Sequence, residues 1–121
     1  MRLARRIVGE WRHITFNVCF AVTSLLAVLV YHAQPERVAI ALVVLGMAGL
    51  LYWRSWLTLT IYVFGGAFGV TAESIAVSYG AWAYANPTVV GVPNWLFFLW
   101  GAAAAFIYQT SRELRKFGVR N

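Results

Sequence analysis

The chain has 121 residues, 61% hydrophobic and 17% aromatic but only 12% charged, and ten Lys/Arg against four Asp/Glu leave a formal charge of +6. Soluble domains carry about a quarter charged residues, so this composition, with a mean hydropathy of +0.68, excludes an ordinary soluble fold. Disorder is excluded as well, because this much apolar surface would collapse or insert, and a compact domain of this size could not hide it from water.

A crossing takes about 20 mostly apolar residues, rising 1.5 Å each over a hydrocarbon core of about 30 Å. Four segments meet that requirement, at about 14–31, 38–53, 56–80 and 94–110, and only the third carries a charge, Glu73. The expected fold is therefore all-α: a four-transmembrane-helix antiparallel bundle, one domain over 1–121, with no soluble domain. Arg2, Arg5, Arg6, Arg12, Arg54, Arg112, Arg115, Lys116 and Arg120 lie at the N-terminus, in the second connection and in the C-terminal tail, against Arg37 alone in the first connection. The positive-inside rule then places both termini in the cytoplasm, in a plasma (inner) membrane. The same bias accounts for the net charge without a nucleic-acid partner, which would need a basic face on a folded surface.

The first span follows arginines, as a signal peptide would, but its apolar run exceeds the 7–15 residues or so of such a segment and Tyr31-His32-Ala33 is a poor cleavage site. It is expected to be retained. Cys19 within it has no disulfide partner in the chain and reads as a buried packing thiol. His13 and His32 fall at the two boundaries and read as anchors. The first connection holds Pro35 and Glu36, which suit a helix start. Arg54-Ser55 is a tight turn between the interfacial tryptophans Trp53 and Trp56, and helices joined so closely are expected to pack as antiparallel neighbours. No internal repeat is evident, so an inverted-repeat transporter plan has no support within one chain.

The connection at 81–93 is different. It is uncharged, and Trp82, Tyr84, Pro87, Gly91 and Pro93 mix aromatic residues with helix breakers. It is expected to fold back onto the protein or dip into the interface, either as an aromatic belt or as a lid over an outward-facing cavity.

Glu73 is the residue on which function turns. About seven residues from the outer end of the third span, it would sit roughly 10 Å below the hydrocarbon surface. An acid near the membrane centre costs about 2.5–3.5 kcal/mol on insertion scales, and an inward-facing position, a partner or protonation must offset that cost. Gly66, Gly69, Glu73, Ala76 and Gly80 recur at helical spacing and share one face. Small residues allow close approach of a second helix, and Gly101 with Ala102 to Ala105 offer a matching face, so the third and fourth helices are expected to pack tightly with Glu73 pointing into the bundle. No Lys or Arg lies at this depth. By matched depth the hydrogen-bond candidates are Ser74, Ser78, Tyr31, His32, Asn94, Trp82 and Trp95. Glu73 either ties helices together or serves as a site carboxylate, with Trp82, Tyr84, Asn94 and Trp95 completing a ligand site; Gly66, Gly69, Ala76, Gly80, Gly101 and Ala105 are assigned to helix packing.

Conventional catalytic constellations are missing. There is no Asp, hence no Ser/His/Asp set, no His or Cys pair at metal spacing, and no glycine-rich phosphate loop after a strand. No metal or cofactor is called for, and enzymatic activity is the less favoured reading.

From Glu73 onward the chain reads Glu, then Gly80-x-Trp82-x-Tyr84-x-x-Pro87, then Gly91-x-Pro93-x-Trp95 and Trp100. This resembles the pattern of an acid followed by Gly, Tyr, Gly-x-Pro and Trp in membrane proteins of carotenoid biosynthesis of the hydratase type, and in small prokaryotic multi-pass membrane proteins. It covers under a quarter of the chain, whereas the carotenoid proteins are longer and have more helices. The resemblance implies that Glu73 and the Trp82–Trp95 loop form one unit near an isoprenoid-like ligand. Three functions follow as expectations. The first is a small binding or transport protein acting at Glu73, with alternation in a homodimer. The second is a structural subunit docking a larger membrane complex through the glycine face. The third is an enzyme using Glu73 as general acid toward an isoprenoid or lipid.

Overall fold

The computed structural model describes residues 2–119, with side chains from residue 9 onward; the basic side chains of Arg2, Arg5, Arg6 and Arg120 lie outside the described part. Four helices follow one another: α1 (Arg2–Tyr31), α2 (Pro35–Trp53), α3 (Trp56–Ser78) and α4 (Leu96–Lys116). Among the described residues there is no sheet, and the only strand-like pairing is an isolated bridge between Val89 and Val92.

Three stretches are long and apolar enough to cross a bilayer, Gly9–Tyr31, Pro35–Trp53 and Trp56–Ser78. The protein is a multi-pass membrane protein. Its exposed surface agrees with that environment, because Leu29, Val44, Leu51, Phe64, Phe68 and Ile107 all present most of their area outward, which is costly against water and neutral against acyl chains. α4 is less apolar than the other three for a local reason. Its middle is small residues, Gly101 to Ala105, and its last two turns carry Gln109, Arg112, Glu113, Arg115 and Lys116.

The joints follow from their residues. Pro35 occupies the first turn of α2 with Glu36 beside it, where a missing N–H costs nothing and an acid meets the positive helix end. Arg54 ends α2 in the left-handed conformation at φ 50, and the Ser55 Oγ accepts the Thr58 N–H at 3.1 Å to cap α3. α3 stops at Ser78, and Gly80 turns the chain at φ 77.

α4 runs antiparallel along α3, setting Thr58 beside Gln109 and Gly69 beside Trp100, and it is the one helix that touches all three others. Its seam with α3 is the most extensive, α1 packs on both α4 and α2, and α2 and α3 barely meet. The short turn therefore does not make α2 and α3 packed neighbours as its length suggested: the left-handed Arg54 re-aims the chain and the two helices diverge.

The α3–α4 seam is built on glycine. A Cβ at Gly69 would collide with the Trp100 ring, one at Gly65 with the Ala104 Cβ, and one at Gly66 would stand 2.7 Å from the Phe97 carbonyl oxygen. From the other side, a Cβ at Gly101 would reach 2.7 Å from the Tyr62 ring. Ala105 is fully buried beside Phe20, Tyr62 and Ala102. Gly80 does not belong to this seam, since nothing lies within 4 Å of its Cβ position; it lies past the helix end and serves the turn. Ala76 is only half-buried. With Gly65, Gly66 and Gly69 covered by α4 of the same chain, the glycine face is consumed internally and is not open for a partner. Cys19, expected in the interior, is exposed on the outer face of α1.

A polar layer crosses the bundle near the chain termini. Asn17 accepts from the Trp53 indole at 2.8 Å and donates to Thr110 at 3.4 Å; Gln109 donates to Thr58 at 2.6 Å. Lys116 closes the end, reaching Glu113 at 3.3 Å and Glu10 at 3.4 Å.

Overpacking a closed seam costs about 1–3 kcal/mol. Gly69→Ala should lower the stability of the protein by that order in reversible unfolding in mixed micelles, while Gly9→Ala, inside α1 with nothing within 4 Å, should leave it unchanged or slightly raised.

Candidate functional site

Glu73 stands on α3 five residues before its end at Ser78, about 7–8 Å along the axis, and so lies shallower than a span reaching residue 80 would put it. It belongs to neither buried core cluster. Instead of pointing into the bundle it is half-buried at the rim of the α3–α4 seam, and its carboxylate collects donors from three places. The Trp82 indole N–H and the Tyr84 hydroxyl both donate to Oε2 at 2.8 Å, and the Trp100 indole N–H donates to Oε1 at 3.3 Å. Hydrogen bonds to a charged group contribute about 1.5–3 kcal/mol each, so the two short ones are enough to offset the insertion cost of one acid. Among the described residues no cation pairs with Glu73.

The position of Trp100 follows from the glycine seam. Its ring lies over Gly69, one helical turn below Glu73, and any side chain at 69 would displace it. Trp82 and Tyr84 arrive by another route: Gly80 turns the chain back at the end of α3, and the loop descends along the helix it has just left.

Further along, the same loop becomes core. Val89 and Val92 exchange backbone hydrogen bonds at 2.9 Å around a two-residue turn, with Val90 at φ 47 and Gly91 at φ 81. Two successive positive φ values are what a type I′ hairpin turn requires, and a β-branched residue in its first central position is strained. The turn drives Val92 and Trp95 into a cluster with Val38, Leu42 and Leu96, and Tyr84 packs edge-on against Trp95, ring centroids 6.3 Å apart. Asn86 Nδ2 donates to the His32 carbonyl at 3.3 Å, fixing the loop to the α1–α2 turn.

The structure thus brings Glu73, Trp82 and Tyr84 together and adds Trp100, to which the sequence reading assigned no role beyond the resemblance. It does not bring Asn94 and Trp95 to the carboxylate. Asn94 is exposed, its backbone N–H held by Thr88 Oγ1 at 2.7 Å, on the rim of a separate groove with Gln34, Glu36 and Arg37. The Trp95 indole N–H is buried without an acceptor, so this residue contributes bulk to the core. Ser78 donates to the Ile75 carbonyl. Neither it nor Ser74, Tyr31 or His32 bonds Glu73 among the described residues. The signal for Trp100 was its offset from the glycines: a large donor opposite a small-residue stripe one turn from an acid.

A groove of about 330 Å³ runs between α1 and α4, walled by Phe20, Ser24, Leu25, Trp100, Ala103 and Phe106 among others. Its walls are apolar apart from Ser24, which donates to its own helix at the Phe20 carbonyl, and Trp100, whose N–H leads to Glu73. Among the described residues no three His, Cys, Asp or Glu side chains gather as a metal group.

No protein-family model and no solved structure matches the chain. A stretch of 51 residues is 39% identical to a UPF0182 protein of Rhodococcus jostii (strain RHA1), covering 42% of this chain and 5% of that protein. The chain therefore spans only a small fraction of the relative it matches, and the likeness assigns it to no family.

The Tyr84 hydroxyl is pushed above its ordinary value of 10.0, first by burial, then by its hydrogen bond to Glu73 and by the charge of that carboxylate. A raised value means that the folded state holds the proton more tightly, so the associated stability is complete below pH 10 and falls as pH rises above it. Wild type should lose protection of loop amides in hydrogen exchange above pH 10, and Tyr84→Phe should show weaker protection at neutral pH without that additional alkaline loss.

Proposed function

We propose that this protein binds a hydrophobic ligand whose hydrocarbon lies in the α1–α4 groove and whose polar end meets Glu73 beneath the aromatic loop. The observation that carries the reading is the double position of Trp100, which walls the groove and donates to the carboxylate. A carboxylate has about four acceptor sites and donates nothing when ionised. Three are taken by Trp82, Tyr84 and Trp100, which leaves room for one further donor. The polar end is therefore a cation or a hydrogen-bond donor. An isoprenoid-like chain with a hydroxyl or amine end falls within that class.

The topology belongs to the same reading. α4 lies antiparallel along α3 and makes the fourth crossing, and the basic residues gathered at the end that carries the termini put that end in the cytoplasm, which leaves Glu73 and its loop at the outer leaflet. Transport would need a second open state and, in so small a chain, a second copy.

One observation favours another reading. The acceptors of Glu73 are largely occupied by its own chain, as a purely structural staple for the loop would require. A photoactivatable long-chain alkylamine separates the two. Ligand binding predicts labelling of α1 and α4 around Phe20–Leu25 and Leu99–Phe106, reduced about tenfold by Glu73→Gln, which keeps shape and hydrogen bonding but removes the charge. A staple predicts equal labelling of wild type and variant, and that result would reject the binding site.

A further inference from the structure

We propose that the cleft between α2 and α3 holds an anionic phospholipid, its phosphate on Arg54 and an acyl chain on the leucines beside it. Although a two-residue turn joins them, α2 and α3 diverge, and the opening forms a groove of about 350 Å³ lined by Leu50, Leu51, Arg54, Ser55, Trp56 and Leu59. Four of these are apolar, one is a cation, and none is an acid. Leu51 is 70% and Trp56 85% exposed, so the protein itself leaves the apolar walls uncovered, and in a bilayer the molecule that covers them is a lipid.

Charge complementarity selects the kind of lipid. The chain has four acids, and none is available to Arg54. Glu10 and Glu113 share Lys116, Glu73 is held by the loop at the opposite end of α3, and Glu36 lies in the first turn of α2, the far end of that helix from Arg54. Among the described residues no carboxylate pairs with the guanidinium. Arg54 sits at a helix–helix turn, the level of the headgroups, with Trp56 beside it as an interfacial aromatic. Basic pockets between helices at this level suit phosphate headgroups, and the planar fork of arginine matches phosphate oxygens in pairs. A zwitterionic lipid offers the same tails without a net charge and is held less well.

The backbone provides an unusually clean test. Arg54 is at φ 50, a conformation that glycine adopts at no cost, so Arg54→Gly removes the guanidinium without disturbing the turn. Wild type purified in mild detergent after equilibration with equimolar phosphatidylglycerol and phosphatidylcholine vesicles should retain one phosphatidylglycerol in native mass spectrometry. Arg54→Gly should reduce that preference about fivefold, the effect of one basic residue at the membrane surface, with an unchanged or higher melting temperature. Arg112→Gln, which removes an equal charge from the same end of the bundle, should keep the preference. Wild type without a retained lipid, equal retention of the two lipids, an unaltered preference in Arg54→Gly, or an equal loss in Arg112→Gln would each overturn the assignment.

Discussion

The close approach of α3 and α4 is the constraint on which the rest depends. Two helices can come this near only where side chains are missing, and Gly65, Gly66 and Gly69 on one side with Gly101 on the other remove them in register. Inside a bilayer no hydrophobic effect drives helices together, so van der Waals contact of this kind is a main source of association. The same approach lays Trp100 across Gly69 and thereby sets an indole N–H beside Glu73. Helix packing and the chemistry of the acid are one structural event.

The acid in turn organises the loop. Glu73 binds two residues that lie just beyond the turn at Gly80, while Val92 and Trp95 enter the core on the other side of the hairpin. The loop is pinned polar at one end and apolar at the other. The opposite end of the bundle is held differently, by Asn17, Thr58, Gln109 and a lysine shared between Glu10 and Glu113. Each of these buried polar side chains has a partner, which is the condition for burying it without a large cost.

The all-helical architecture was legible because hydropathy and length alone dictate it, and so were the start of α2 at Pro35 and the tight α3–α4 seam, which the glycine spacing announces. The end of α3 was misplaced by two residues because Tyr79 and Gly80 continue an apolar run without continuing a helix. That error carried Glu73 too deep, and the stripe of Gly66, Gly69, Ala76 and Gly80 turned it inward although only the glycines at 66 and 69 belong to the seam. Depth-matching then picked Asn94 and Trp95, neighbours of the acid in level but not in direction; only the hairpin at Val90-Gly91, which no periodicity reveals, sends Trp95 into the core. The divergence of α2 and α3 was likewise hidden, since turn length says how near two helix ends are and not where their axes go. Trp100 and the polar layer of Asn17, Thr58 and Gln109 escaped because isolated polar residues in a span acquire meaning only once a partner helix is in place.

α4 touches every other helix, yet the backbones of α1 and α3 stay apart and α2 meets α3 only thinly. α4 is also the last of the four to leave the ribosome. Until it does, α3 has its glycines facing lipid and its acid without Trp100, so the nascent chain must be sheltered by the insertion machinery or wait in the bilayer half-assembled. Assembly of these four helices is therefore governed by α4, and a ribosome stalled before residue 96 would leave α3 inserted without the helix that covers its glycines.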